Sequence, residues 1–231
     1  MNISKLLDYI YPPRCPLCDQ ISPEGFCGVC RKKLIYIKED YCLKCGKPLT
    51  DSRREYCDDC GRRPHIFIQG RALLSYQGPV KKSLYRLKYA NKREYADVYG
   101  KEMAKKLGRW ILQKRITKIV PIPLHPARRR QRGYNQAAHL AKSVGRRLGI
   151  PVDEKLIYRV RGTAPQKALT LQERRKNLQD AFEVKGKIRP GERILLVDDI
   201  YTTGSTVDAA AKCLKTAGKC RIYVLTTAIG G

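Results

Sequence analysis

Acidic residues are scarce: 21 Asp and Glu stand against 48 Lys and Arg, giving a formal charge of +27 over 231 residues. A chain so lopsided repels cationic partners and attracts polyphosphates or nucleic acid. Long apolar runs are missing as well. No stretch approaches the ~20 apolar residues of a membrane span, and the opening MNISKLLDYIYPP has too short an apolar run for a secretory signal. The expectation is a cytoplasmic protein without membrane insertion. No G-x-x-x-x-G-K-[ST] is present, which argues against a Walker-type nucleotide site. The C-terminal half shows no internal repeat, and no low-complexity tract occurs. A chain of 231 residues holds one sizeable α/β domain and a small extra module, not two large domains.

The charge that is present is concentrated, with 20 Lys and Arg against 3 Asp and Glu in residues 81–150. Cysteine is concentrated too. Eight of ten lie in residues 15–60 as four Cys-x-x-Cys pairs: Cys15/Cys18, Cys27/Cys30, Cys42/Cys45 and Cys57/Cys60. Each short turn aims two sulfurs at one point, so two such knuckles close a tetrahedral zinc site and eight cysteines imply two structural ions. Sequential pairing gives a double zinc ribbon, and the spacing leaves interleaved pairing open. Disulfides do not suit a reducing cytoplasm, and redox pairs of thioredoxin type would need a neighbouring βαβ pattern. Residues 15–60 bury too little core to fold unaided, which metal would remedy. Cys213 and Cys220 read as small buried apolar residues.

The remaining chain divides at about residue 65, giving a ribbon over 1–64 and an α/β domain over 65–231, with 65–115 as a basic bridge. That bridge holds an apolar run at Ala72–Tyr76 and a Tyr-rich helical stretch from Val80 to about Trp110. Its apolar positions recur too loosely for one continuous helix. Beyond it the pattern alternates: a strand over Ile116–Pro123, a helix over Asn135–Leu148 ended by Gly149 and Pro151, and a strand within Val152–Val160. Thr170-x-x-Glu173 reads as a capping box, and Phe182–Val184 as a short strand. Arg193–Val197 is an apolar strand, Ser205–Thr216 a helix closed by Gly218, and Arg221–Ala228 a last buried strand. Such alternation predicts a parallel, doubly wound sheet, with ligands beyond the carboxyl ends of its strands.

Ile194–Thr206, I-L-L-V-D-D-I-Y-T-T-G-S-T, carries the most chemistry. A buried strand delivers two acids, and a Thr- and Gly-rich turn then opens a helix. Asp198 and Asp199 are suited to accept hydrogen bonds from two vicinal sugar hydroxyls. The N–H groups and hydroxyls of Thr202, Thr203, Ser205 and Thr206 are suited to surround a phosphate at the helix start, and Gly204 allows close backbone approach. A plain capped strand–turn–helix would need no such pair of acids. A second candidate surface is Lys81, Lys82, Arg86, Lys88, Lys92 and Arg93 interleaved with Tyr85, Tyr89 and Tyr95, which offers phosphate contacts and stacking for single-stranded DNA. A solvated basic helix with its tyrosines on the core fits the same pattern.

Residues 194–206 look like the thirteen-residue binding signature of type I phosphoribosyltransferases, with every position filled. The whole chain resembles the ComF competence family through its cysteine knuckles, K-Y-A-N-K-R at 88–93, P-I-P-L-H-P at 121–126, R-G-Y-N-Q at 132–136, T-A-P-Q at 163–166 and R-x-x-N-L at 174–178. The resemblance implies a type I phosphoribosyltransferase-like sheet with helices on both faces, preceded by a zinc-ribbon module, and a ligand, phosphoribosyl pyrophosphate, bound with Mg²⁺. It also implies a pyrophosphate loop over Leu124–Asn135, with Arg128, Arg129, Arg130, Arg132 and Gly133. A mobile lid follows over Arg161–Arg175, with Arg161, Lys167, Arg174 and Arg175. His125 is expected to be structural or to touch phosphate. The role implied is uptake of transforming DNA in the bacterial cytoplasm, beside a helicase partner, with single-stranded DNA on the Lys- and Tyr-rich stretch. The same fold serves transferases and ligand sensors, and no residue here identifies an acceptor or a catalytic base. With no glutaminase domain preceding it, glutamine amidotransfer is not expected.

Overall fold

The computed structural model describes residues 12–160 and 181–230. The capping box at Thr170 and the lid residues Arg161, Lys167, Arg174 and Arg175 lie outside the described residues. Four parallel strands form the sheet, in the order β1 (Gln69–Ser75), β6 (Arg221–Ile229), β5 (Arg193–Tyr201), β2 (Lys118–Pro121). Burial on both faces is what allows near-continuous apolar runs such as Ile194–Val197 and Ile222–Leu225 to stand side by side, Ile194 opposite Ile222 and Val197 opposite Leu225.

Helices cover both faces. On one, α4 (Tyr95–Gln113) and α6 (Gln136–Leu148) pack with Leu73, Leu195, Val197 and Leu225 into one core. On the other, α7 (Ser205–Ala217) places Val207, Ala210, Ala211 and Leu214 against Ile194, Leu196 and Val224. The limits of α6 follow from its caps. Asn135 Oδ1 accepts from Ala137 N at 3.1 Å, and Gly149 closes the helix in the left-handed region at φ 67°.

The basic bridge has more structure than its sequence pattern suggests. Its apolar run is the sheet strand β1, and the helical stretch is two helices, α3 (Gly78–Tyr89) and α4, separated where Asn91 takes φ 52°. The strand expected within Val152–Val160 is a short one at the end of that window. Val152 bridges in parallel to Ile119, whereas β3 (Ile157–Arg159) pairs antiparallel with β4 (Phe182–Val184) outside the four-stranded sheet.

The cysteine-rich module is stitched to this body. Ile37 N donates to Leu73 O at 3.1 Å and Ser75 N to Ile35 O at 2.9 Å, so the segment between the two cysteine sets runs antiparallel beside β1. Gly70 N donates to Lys44 O at 2.6 Å. Gly46 has φ 81°, and a Cβ there would stand 2.9 Å from Arg71 Cα, which is why the Cys42/Cys45 knuckle can press on the strand. Elsewhere Arg31 lies 3.3 Å from the buried Glu102, which also accepts from the Tyr36 hydroxyl at 2.8 Å.

Candidate functional site

Zinc chemistry is the easiest part to build. Cys27 and Cys57 lead into the short helices α1 (Gly28–Arg31) and α2 (Asp58–Arg62), while the first knuckle of each pair is a turn closed by Asp19 N to Cys15 O and Gly46 N to Cys42 O, both 2.8 Å. The sulfurs converge as Cys15, Cys18, Cys27 and Cys30 and as Cys42, Cys45, Cys57 and Cys60, all four atoms of each set lying within 4.8 Å of one another. Sulfurs of a tetrahedral site with ~2.3 Å Zn–S bonds lie about 3.8 Å apart. Cys18 Sγ to Cys27 Sγ is 3.9 Å and Cys45 Sγ to Cys57 Sγ is 3.8 Å, so the residues fit two structural zinc ions with sequential pairing. All ten cysteines are free of disulfides, and Cys213 and Cys220 lie apart from both sets, half-buried.

At the carboxyl end of β5 the two acids meet. Up to this point the strand alternates regularly, Ile194 and Leu196 entering the α7 core, Leu195 and Val197 the α4–α6 core. Beyond the acids the order is reversed: Ile200 packs on the α4–α6 core and Tyr201 on the α7 core. The neighbouring β6 reverses at the same register, between Leu225 and Ala228, around the buried Thr226 and Thr227. Asp198 Oδ1 accepts the Asp199 N–H at 2.8 Å. Burial, reinforced by the neighbouring Asp199 and opposed by Lys88, pushes the Asp198 carboxyl up to about 8.

Asp199 is 3% exposed, and its Oδ2 lies 2.8 Å from Nζ of Lys88, in the last turn of α3. The contact is a buried ion pair at charge-assisted hydrogen-bonding distance. Burial works against the Lys88 ammonium, but the charge of Asp199 outweighs it and holds the pKa above the usual lysine value.

The turn after the acids is built around Gly204. Its φ of 76° makes it the left-handed N-cap of α7, and a Cβ there would fall 2.3 Å from the Tyr201 hydroxyl and 3.1 Å from His65 Cε1. As the N-cap, Gly204 brings no capping side chain of its own to the first-turn N–H groups. Thr203 and Ser205 hydroxyls lie 2.9 Å apart; Thr202 is exposed and Thr206 half-buried. Asp208 anchors the helix from below, accepting from Ile66 N at 3.0 Å and sitting 2.6 Å from His65 Nδ1. Hence the junction between module and body holds the turn in place. A groove of about 700 Å³ runs along α7 past Pro64, Ile66, Phe182 and Cys213. Neither carboxylate of the pair lines it, and it meets the turn only at Ser205 and Asp208.

The expected pyrophosphate loop is a helix, α5 (Pro126–Arg132). Pro126 opens it, His125 Nδ1 caps it by accepting from Ala127 N at 3.3 Å, and Gly133 closes it at φ 75°. His125 therefore has a capping role. Arg129, Arg130 and Gly133 are exposed, while Arg128 is half-buried and its charge reaches Arg159. Arg132 donates to Gln136 Oε1 at 3.2 Å and to the Tyr89 hydroxyl at 3.1 Å, linking α5 to α3.

The nine residues expected on a DNA face do not share one face. Lys81, Lys82, Tyr85, Tyr89 and Arg93 are exposed, with the rings of Tyr85 and Tyr89 4.8 Å apart. Four turn elsewhere. Arg86 donates to the carbonyls of Pro16 and Leu17 in the first zinc knuckle, at 2.9 and 2.7 Å. Lys92 binds Asp19 at 2.8 Å, and the buried Tyr95 donates to the same carboxylate at 2.7 Å. Lys88 faces the acids. Sequence reasoning also missed Arg159, buried over the Phe182 ring at 5.6 Å and within reach of the Asp198 charge. An Arg in a three-residue strand gives no periodic signal to find it by.

The double zinc ribbon domain model matches residues 6–61 and the phosphoribosyl transferase domain model residues 132–229. Competence protein F of Haemophilus influenzae is 41% identical over 108 residues, 46% of this chain and 47% of that protein. Competence protein ComFC of Bacillus subtilis is 31% identical over 151 residues, 65% of this chain and 60% of that protein. The chain belongs to the ComF family. The DNA utilization protein YhgH of Escherichia coli K12 is similar too, 30% identical over 156 residues, 64% of this chain and 66% of that protein. The chain thus spans about half to two thirds of the length of these family relatives. Among solved structures, an adenine phosphoribosyltransferase from Leishmania tarentolae overlaps 67% of this chain and 76% of its own, with 11% identity and a TM-score of 0.34. No helix among the described residues is long and apolar enough to cross a membrane.

Proposed function

We propose that this chain is a DNA-uptake factor of natural competence, working in the cytoplasm, that binds phosphoribosyl pyrophosphate with Mg²⁺ at the carboxyl end of β5. The observation that carries this reading is the pairing of two adjacent carboxylates with a helix start capped by glycine, Asp199 and Ser205 standing six positions apart on one strand–turn–helix. Asp198 and Asp199 take the ribose diol. Thr202, Thr203, Gly204, Ser205 and Thr206 hold the 5′-phosphate, where backbone N–H groups and the helix dipole favour an anion. Arg128 and Arg132 stand on the side where the diphosphate would lie, with Arg129, Arg130 and Gly133 on the outer turn of α5. Arg161, Lys167, Arg174 and Arg175 are the lid residues of this reading. The all-oxygen donor set suits Mg²⁺ carried in on the diphosphate, and the ion's contribution is to neutralise that charge.

Calorimetry with phosphoribosyl pyrophosphate and Mg²⁺ tests the site. Asp198→Asn combined with Asp199→Asn is expected to abolish binding while zinc content and helicity stay unchanged; undiminished affinity would refute the assignment.

The exposed Tyr85–Tyr89 pair, flanked by Lys81, Lys82 and Arg93, supports a second ligand, single-stranded DNA, held by stacking and phosphate contacts. Affinity for an oligothymidine should fall steeply with salt, and a flat titration would count against the face. A helicase is the partner this role implies. The alternative function is an active phosphoribosyltransferase on an unidentified acceptor. Pyrophosphate release that depends on one acceptor and on both acids would establish it.

A further inference from the structure

Lys88 is out of place for a residue of a basic surface helix. Its side chain is 19% exposed, that of its carboxylate partner 4%, and their charged atoms are 2.8 Å apart. Breaking a buried pair from one side is costly, so such a cation is retained only where something else can take the place of its partner, or where it never leaves. The surroundings favour exchange. Among the described residues the salt bridge to Lys88 is the contact that compensates Asp199 Oδ2, so a ligand that brings donors to that oxygen can replace it.

Around it, cations outnumber acids. Arg132 lies close enough to weaken the Lys88 ammonium, and its Nε finds no hydrogen-bond partner among the described residues. Arg128 and Arg159 lie on the Asp198 side, and burial favours the protonated form of Asp198 up to about pH 8. The site lacks negative charge, and the side from which Arg132 approaches is the one where α5 follows β2. A ribose that gives its 2′- and 3′-hydroxyls to the acids carries its C1 substituent on the adjoining carbon. A lysine displaced from the diol carboxylate is then within a side-chain swing of that substituent.

We infer that Lys88 is the diphosphate receptor of the site: its ammonium rests on Asp199 in the free protein and passes to the C1 diphosphate when the sugar diol takes that carboxylate over. This rests on the reading of the acid pair as a phosphoribosyl seat. The handover keeps the buried carboxylate compensated at every stage, first by the ammonium and then by hydroxyl donors. It also makes the protein discriminate between a ribose phosphate with a diphosphate at C1 and one without.

The test is calorimetry of the full chain with two probes, phosphoribosyl pyrophosphate and ribose 5-phosphate, each with Mg²⁺, for the wild type, Lys88→Met and Lys88→Arg. Losing one charge-assisted contact predicts a roughly tenfold to hundredfold weaker affinity for phosphoribosyl pyrophosphate in Lys88→Met. Ribose 5-phosphate should bind as well as to wild type or better, because its diol no longer has to displace the ammonium. Lys88→Arg should restore most of the lost affinity. Equal loss for both ligands, or no loss for either, overturns the inference and leaves Lys88 a structural counter-ion. Should the wild type bind neither probe, the phosphoribosyl reading fails and this inference fails with it. If Lys88→Met does not fold, judged by zinc content and melting, Lys88→Gln answers the same question while keeping a donor to Asp199.

Discussion

Asp198 gives the site a pH signature of its own. Its carboxyl is raised from the ordinary 3.8 to about 8, chiefly by burial. A raised folded-state pKa means that the folded protein binds this proton more tightly than the unfolded chain does. The associated stability is complete below about pH 4 and is lost as pH rises through 8. Asp198→Asn keeps an acceptor for the Asp199 N–H and has no proton to lose. Thermal melts of the ligand-free protein should therefore show the variant gaining on wild type from pH 5 to pH 9, and a gap that stays constant with pH would contradict the shift. At this scale the sequence was legible only in part. The acids, glycine and hydroxyls of 194–206 announce themselves because one short segment holds them all. Lys88 and Arg159 do not, since a helix of alternating Lys, Arg and Tyr conceals which side chain turns inward, and a three-residue strand has no measurable period.

Among elements, α6 was readable to the residue at its C-terminus because Gly149 and the apolar stripe agree. β1 was not, because its seven residues include Gln69, Gly70 and Arg71, which mask its place at the edge of the parallel sheet. α5 was taken for a loop since its interior is almost entirely Arg and Gln, with no apolar face to betray it. The crossing of α4 and α6 offers a test of packing. A Cβ at Gly100 would stand 2.3 Å from Ser143 Oγ, and Ser143 itself bonds to Asp97, which Arg146 and Arg147 also grip at 2.6 and 2.9 Å. Gly100→Ala should cost about 1–3 kcal/mol by overpacking. Chemical denaturation would show it, and adding Ser143→Gly should recover part of the loss if the clash is the cause.

For the molecule as a whole, the zinc module acts as a brace. Arg86 of α3, Lys92 in the link between the helices and Tyr95 of α4 reach it, and His65 and Ile66 carry its junction to Asp208 beneath the Gly204 turn. Metal analysis of protein purified without chelator should find two zinc ions per chain. Stripping them should lower the melting temperature by at least ~5 °C, since metal binding here is folding free energy. An unchanged melting temperature in the stripped protein would make the module a mere appendage. Its attachment matters in another way. Residues 35–37 occupy one border of the sheet and Val152 touches the other at Ile119, so a stray extended peptide finds few open rungs at either margin. The sheet is thereby protected against adding unfolded polypeptide to itself, and metal loss would expose the first of those margins to aggregation.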